Sequence, residues 1–292
     1  MSTPLRQQRT LRSAVTVAGF GYWSGEDIVV EFRPAEPDSG IVFVRRDLHA
    51  ANRVPARVDF RLDIPRRTTL QSGTARVDMV EHVLASLAGL QIDNCEVWVD
   101  AAEMPGFDGS SQVFITALQR AGVLSQPRGR AQLVVTEPLL VEDATGWVKA
   151  VPVDDPVCRI RYELDYGSGN PIGRQDFEMT VTTESFVSEL ASARTFLLKR
   201  EADWLRSQGL GTRVSLADLL VFDDHGPMEN ELRFADECVR HKALDMVGDL
   251  ALCGCDIVGQ ITAHRSGHRL NAEMAKLMLR KGQVRRGAAD AA

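Results

Sequence analysis

Residues 125–130, SQPRGR, divide this chain. The stretch holds a proline, a glycine and two arginines and no apolar residue, which is loop composition rather than that of a core element. On either side of it the hydrophobic pattern runs in the same loose order. Short alternating segments predict strands, and longer 3.6-period segments predict helices. Two halves of similar content, each with strands and segregated helices, define an α+β class. The expected architecture is two similar domains, 1–126 and 127–292, each a β-sheet layered with α-helices.

Upstream of the divide, VVEFRPA (29–35) and IVFVRRD (41–47) read as strands around a Pro/Asp/Ser/Gly turn at 34–40, and CEVWVD (95–100) as another. Residues 78–89 predict a helix. Asp78 and Glu81 have capping-box spacing, Val80, Val83, Leu84 and Leu87 form its apolar stripe, and Gly89 suits its end. A second helix starts at Ser110 in SSQVFITALQRAGV, with a serine cap.

Downstream, strands are expected at 131–136, 139–142, 147–151 and 157–164, a helix near 184–193 and a long helix at about 229–252. DIVGQITAH (256–264) is a further strand, and a helix near 271–281 follows. The tail 282–292, GQVRRGAADAA, is expected to be frayed and disordered.

The bulk numbers narrow the function class. A net charge of −6 argues against non-specific nucleic-acid binding. The five cysteines are odd in number and contain no CxxC pair, so neither a disulfide framework nor a cysteine metal site is indicated. MSTPLRQQRTLR has no apolar signal-type segment, and no apolar run approaches 18 residues. The expectation is a cytoplasmic protein with at most peripheral membrane contact, acting as a monomer.

Chemistry is first visible in RHKALDMVGDLAL (240–252), where His241, Asp245 and Asp249 recur every four residues. Helical geometry stacks them on one face, with Val239, Ala243, Met246, Val247 and Leu250 opposite. Taken alone, such a pair is more often an ordinary helix contact than a metal site. His82 lies beside Glu81 in MVEHVLASLAGL. Adjacent helical residues diverge by about 100°, so a ligating His82 leaves Glu81 free to reach water. His268 sits in the turn HRSGHRLN and Thr195 in ASARTF, where a loop histidine and a turn hydroxyl are the plain readings. Together, two histidines and an aspartate make a three-ligand zinc set with an open position. A neighbouring carboxylate and a separate histidine then supply base and acid for amide hydrolysis.

VEHVLASLAGLQIDN, EMPGFDGSS, ELASARTF, FADECVRHKALDMVGDLAL and SGHRLN closely resemble the UDP-3-O-acyl-N-acetylglucosamine deacetylases of lipid A biosynthesis. The likeness runs from QRTLRSAV to SGHRLN. It implies two α+β domains with the active site between them, and an acylated UDP-sugar substrate. It also implies zinc held by His82, His241 and Asp245, with iron as the other metal such ligands suit. By the same resemblance Glu81 is the general base, His268 the general acid, and Asp249 the partner that favours protonated His268. Thr195 and Lys242 face the acetyl carbonyl and its developing oxyanion, and Arg265, where the family usually has lysine, approaches the diphosphate. A small second-domain insert lining the acyl-chain passage is expected within about 160–182.

Several positions depart from the family pattern: Trp23-Ser24-Gly25 for its early HSG, Arg213 and Val214 in a glycine-rich run, Leu197 and Leu198 at aromatic positions, and AAEMPGFDGSS for its acidic loop. None removes a proposed ligand, base or acid. The competing readings are a zinc deacetylase of another N-acetylated sugar, and a non-catalytic, zinc-stabilised binding protein.

Overall fold

The computed structural model describes residues 5–50 and 52–286. In the first half, a five-stranded sheet has the order Val15–Phe20, Asp27–Pro34, Cys95–Val99, Ile41–Arg45, Arg53–Pro55. Only the Ile41–Arg45 and Cys95–Val99 pair runs parallel. Period-2 alternation sets its inner face: Ile28, Val30 and Phe32 are buried on one strand, and Cys95, Val97 and Val99 on the next.

The helices are α1 (Glu81–Gly89), α2 (Gln112–Ala121), the single turn α3 (Thr183–Ser185), α4 (Lys199–Ser207), α5 (Glu237–Leu250) and α6 (His268–Lys281). In the second half a seven-stranded sheet is centred on Asp256–His264, which pairs antiparallel with Trp147–Val151 and parallel with Cys158–Asp165 and Gln132–Val134. α6 crosses Leu139–Glu142 and Trp147–Val151, α5 lies along Cys158–Asp165, and α1 packs directly on α5. The helices of the two halves therefore meet face to face, and one apolar core continues from one half into the other. The mixed sheet-and-helix class is as the sequence predicts.

The stretch 125–130 is not a free loop. Val123–Gly129 is a strand, antiparallel to Gln7–Leu11. The ladder slips a register between Gln7 and Arg9, so residues 126–128 face Gln8 across the irregularity. A proline without an N–H is tolerated in such a two-stranded edge position. Gln126 is held there by the Asn94 side-chain amide at 2.7 Å.

The tail is ordered at its start. Gln283–Arg285 pairs antiparallel with Gln132–Val134, completing that strand's second edge. Its side chains stay exposed, so the pairing rests on backbone groups and leaves no hydrophobic signature. Residues 287–292 lie outside the described region.

The capping box at 78–81 is absent. Asp78 ends the strand Ala75–Asp78, and its carboxylate takes Thr69 and Arg76. Helix 229–252 begins only at Glu237, because Glu237 accepts hydrogen bonds from Arg194 and from the Arg233 amide instead of letting the chain wind earlier.

Residues 160–182 form a β-hairpin, Cys158–Asp165 with Arg174–Thr180, that widens the seven-stranded sheet. The small strand–helix–strand unit lies later, as Phe196–Leu198, α4 and Leu220–Asp223.

Candidate active site

The chain places Glu81 and His82 at the first turn of α1, entered through Met79 at a left-handed φ of 57°. His241, Lys242, Asp245 and Asp249 come from α5, and His268 opens α6 after the turn Arg265–Gly267. All border one cavity of about 940 Å³ between the halves, except Asp249, which lies behind His268.

One donor atom from each of His82, His241 and Asp245 lies within 4.8 Å of the others. His82 Nε2 stands 3.5 Å and His241 Nε2 3.4 Å from Asp245 Oδ1. The two imidazoles are nearly perpendicular, at 87°. Burial pushes His241 down to about 3, outweighing the pull of Asp245, so the ring is neutral. Its Nδ1–H donates to the Ala193 carbonyl at 3.1 Å, which leaves a lone pair on Nε2 facing the cluster. Burial also opposes ionisation of Asp245, but the Lys242 ammonium outweighs it and holds this carboxyl well below the usual range.

Asp245 Oδ2 accepts from the Lys242 ammonium at 2.6 Å, whereas Oδ1 is buried with no hydrogen-bond partner. An ionised oxygen in that state is costly unless a cation completes it. With the Nε2 atoms of two imidazoles beside it, the donor set fits a divalent metal with an open position.

Glu81 and His268 stand next to this set. Burial raises the Glu81 carboxyl above its ordinary value, against the pull of His268. Glu81 Oε2 accepts from the Thr68 amide at 3.0 Å, and Oε1 faces His268 Nε2 at 3.9 Å. Burial works against the His268 imidazolium, but Asp249 and then Glu81 outweigh it and raise it to about 9. His268 Nδ1 pairs with Asp249 Oδ2 at 2.9 Å, and Asn271 Nδ2 donates to the same oxygen at 2.9 Å. The arrangement sets a carboxylate acceptor and an imidazolium donor facing each other beside the three-donor cluster, which suits hydrolysis of an amide.

Thr195 lies at the cavity wall, pinned by its backbone to Gly109 and Leu220. Preceding it, Arg194 makes a buried pair with Glu237 at 2.8 Å and fixes this segment to the start of α5. Lys242 also lines the cavity, with its ammonium held by Asp245, and burial of the amine is outweighed by that carboxylate so the charge is kept. Arg265 lines it from a left-handed turn at φ 49°.

The apolar wall differs from the expected one. It comes from Phe196, Leu197, Ala202, Leu205, Val214 and Leu219, on and around α4, whereas residues 160–182 contribute Tyr166. A parallel strand pair with its crossover helix has one face to bury, and here that face is the cavity. Trp23 and Val214 line the cavity too, whereas Leu198 is buried away from it. Arg213 reaches across to Asp27 at 2.7 Å and to the Gly25 carbonyl. Thr68, Ala193 and Asn271 support the site without having been singled out in the sequence. Asn271 alone carried a signal, being three residues from His268 on one helix face.

The α+β scaffold and the buried His/His/Asp set define a metal-dependent hydrolase. A family model described as UDP-3-O-acyl N-acetylglycosamine deacetylase matches residues 8–280, and the chain belongs to that family. A UDP-3-O-acyl-N-acetylglucosamine deacetylase of Anaeromyxobacter sp. (strain Fw109-5) is 40% identical over 273 residues, covering 93% of this chain and 88% of the relative. Those of Histophilus somni (strain 129Pt) and Chromobacterium violaceum are 36% and 37% identical, covering 94% and 93% of this chain and 90% of each relative.

Proposed function

We propose that this chain hydrolyses the N-acetyl group of a UDP-3-O-acyl-N-acetylglucosamine, releasing acetate and the free amine for lipid A biosynthesis. The observation that carries the reading is the partnerless, ionised Asp245 Oδ1 beside two imidazoles, with Glu81 and His268 facing each other next to it. His82, His241 and Asp245 would hold zinc, with Fe2+ the alternative occupant for the same ligands. When bound, that metal supplies a Lewis acid that polarises the acetamide carbonyl and makes water acidic enough to ionise near neutrality.

The chain's own residues do the proton work. Glu81 accepts the proton of the attacking water. The carbonyl carbon becomes tetrahedral as the new C–O bond forms, with Thr195 and Lys242 as nearby donors to the developing oxyanion. His268, protonated and oriented by Asp249, gives its Nε2 proton to the sugar nitrogen as the C–N bond breaks. Arg265 offers a fork to the diphosphate, and the apolar wall around α4 takes the acyl chain.

The same reading puts the domain boundary near 126/127, within the strand Val123–Gly129 that joins the five-stranded sheet of the first half to the seven-stranded sheet of the second. It takes the enzyme as a cytoplasmic monomer with at most peripheral membrane contact. No helix among the described residues is long and apolar enough to cross a membrane. The test compares release of acetate from the 3-O-acylated UDP-sugar and from unacylated UDP-N-acetylglucosamine. Faster turnover of the acylated sugar is expected. Equal turnover of both would redirect the assignment to another N-acetylated sugar, and none on either would refute the activity.

A further inference from the structure

Thr68 touches both proton-transfer arms of the site at once. It is fully buried. Its backbone N–H donates to Glu81 Oε2 at 3.0 Å, and its hydroxyl donates to Asp249 Oδ1. Asp249 Oδ2 in turn holds His268 Nδ1 at 2.9 Å, and His268 Nε2 faces Glu81 Oε1 at 3.9 Å. The four residues close a ring: Thr68, Glu81, His268, Asp249 and back to Thr68. Their segments come from the loop before strand Thr69–Ser72, from α1, from α6 and from α5.

We propose that Thr68 is a positioning residue for the deacetylation, one that ties the general base and the general acid to a single anchor. The inference rests on the proposed activity and deepens it. Asp249 is wholly buried, so each of its lone pairs needs a donor. Two of the three donors to Asp249, His268 and Asn271, crowd onto Oδ2, and Thr68 is the donor recorded on Oδ1. Without that hydroxyl the carboxylate is held through Oδ2 alone, so its plane, and the imidazole it steers, are less tightly fixed. The backbone N–H, which no side-chain change removes, keeps Glu81 in place. The hydroxyl therefore governs the acid arm while the amide governs the base arm, and the two arms are fixed relative to each other by the covalent geometry of one residue. The Thr68 hydroxyl makes no hydrogen bond to His82, His241 or Asp245, so metal binding should be independent of it.

The separation of arms makes the role testable. Thr68→Val keeps shape, burial and the amide bond to Glu81 but deletes the hydroxyl. Steady-state kinetics on the 3-O-acylated UDP-sugar should show kcat reduced roughly 10- to 100-fold, the usual cost of losing an outer support of a site. KM and bound metal should stay at wild-type values. Thr68→Ser restores the hydroxyl and should return kcat to within about threefold of wild type. A purely structural role would instead lower the melting temperature and the active fraction in both variants without this split and rescue. Thr68→Ala, read the same way, serves if the valine variant does not fold. Unchanged kcat without the hydroxyl, a serine variant no better than valine, or a loss confined to KM or metal content would overturn the role of Thr68 alone. Absence of turnover by the wild-type enzyme would overturn the functional reading and this inference with it.

Discussion

Gly248 of α5 lies against the carbonyl oxygen of Glu81 in α1, so close that a Cβ on Gly248 would stand 2.1 Å from that oxygen and 3.2 Å from the Ala85 nitrogen. This is where the two halves press their helices together. It brings His82 from one and His241 and Asp245 from the other into reach of a common point. In an exposed helix, replacing glycine with alanine stabilises by up to about 1 kcal/mol. Here the sign reverses, because backbone atoms of α1 must move. Gly248→Ala should destabilise by about 1–3 kcal/mol, read as a lower urea midpoint, and should weaken metal affinity. A raised midpoint with unaltered metal binding would show that the helices do not approach this closely.

The pairing of His268 with Asp249 predicts a pH dependence. Its folded value of about 9 lies above the roughly 6.5 of a free imidazole. A group raised on folding contributes stability that is fully present below the unfolded value and is lost as pH rises through the folded one. Thus stability from this pair should be complete below about 6.5 and gone above about 9. Turnover needs the protonated ring of the folded protein, so kcat should fall along an alkaline limb centred near the folded value of about 9. Asp249 is the strongest of the influences that raise His268. Asp249→Asn should therefore move the limb toward neutrality, and a limb that stays in place would assign it to another group.

The parts of the site that lie on one helix were legible in the sequence. His241, Asp245 and Asp249 share a face because helical spacing dictates it, and α5 holds them so. The ordering of strands and helices on either side of 125–130 was readable from periodicity, although that stretch is itself a strand. What could not be read depends on contacts distant in sequence. Thr68 is 181 residues from Asp249, and RRTTL has no pattern that marks it. Asp78 and Glu81 have the spacing of a capping box, but tertiary partners claim both carboxylates. The strand Gln283–Arg285 pairs through backbone alone, with exposed side chains. Nothing in the sequence marks the α4 unit as the apolar wall of the cavity in place of 160–182, where a hairpin widens the sheet.

Glu81→Gln separates base chemistry from packing. Glutamine has the same shape and its carbonyl oxygen can still accept the Thr68 amide. It cannot take a proton from water at neutral pH. Turnover should fall by about 10²- to 10⁴-fold, the range for losing a general base, with bound metal and melting temperature unchanged. Wild-type turnover in this variant would remove Glu81 from the proton path. Lost metal would instead mean that Glu81 helps to hold the ion.

The metal site is built on one oxygen, Asp245 Oδ1, and two imidazole nitrogens. Chelation should abolish turnover and lower the melting temperature, because the native state alone gathers these three donors and ligand binding to it is stabilising. Zinc should restore activity, and Fe2+ should do so under anaerobic conditions, since His/His/Asp ligation accepts both. His241→Ala should reduce bound metal, measured by elemental analysis after dialysis, because it removes one of three donors. Asp245→Ala should reduce it further, since it also leaves the Lys242 ammonium beside the site without its partner at 2.6 Å. That cation would repel the incoming ion. The order matters: if His241→Ala lost more metal than Asp245→Ala, the imidazole rather than the carboxylate–lysine pair would dominate affinity. Full metal content in both variants would mean that these side chains meet for another reason.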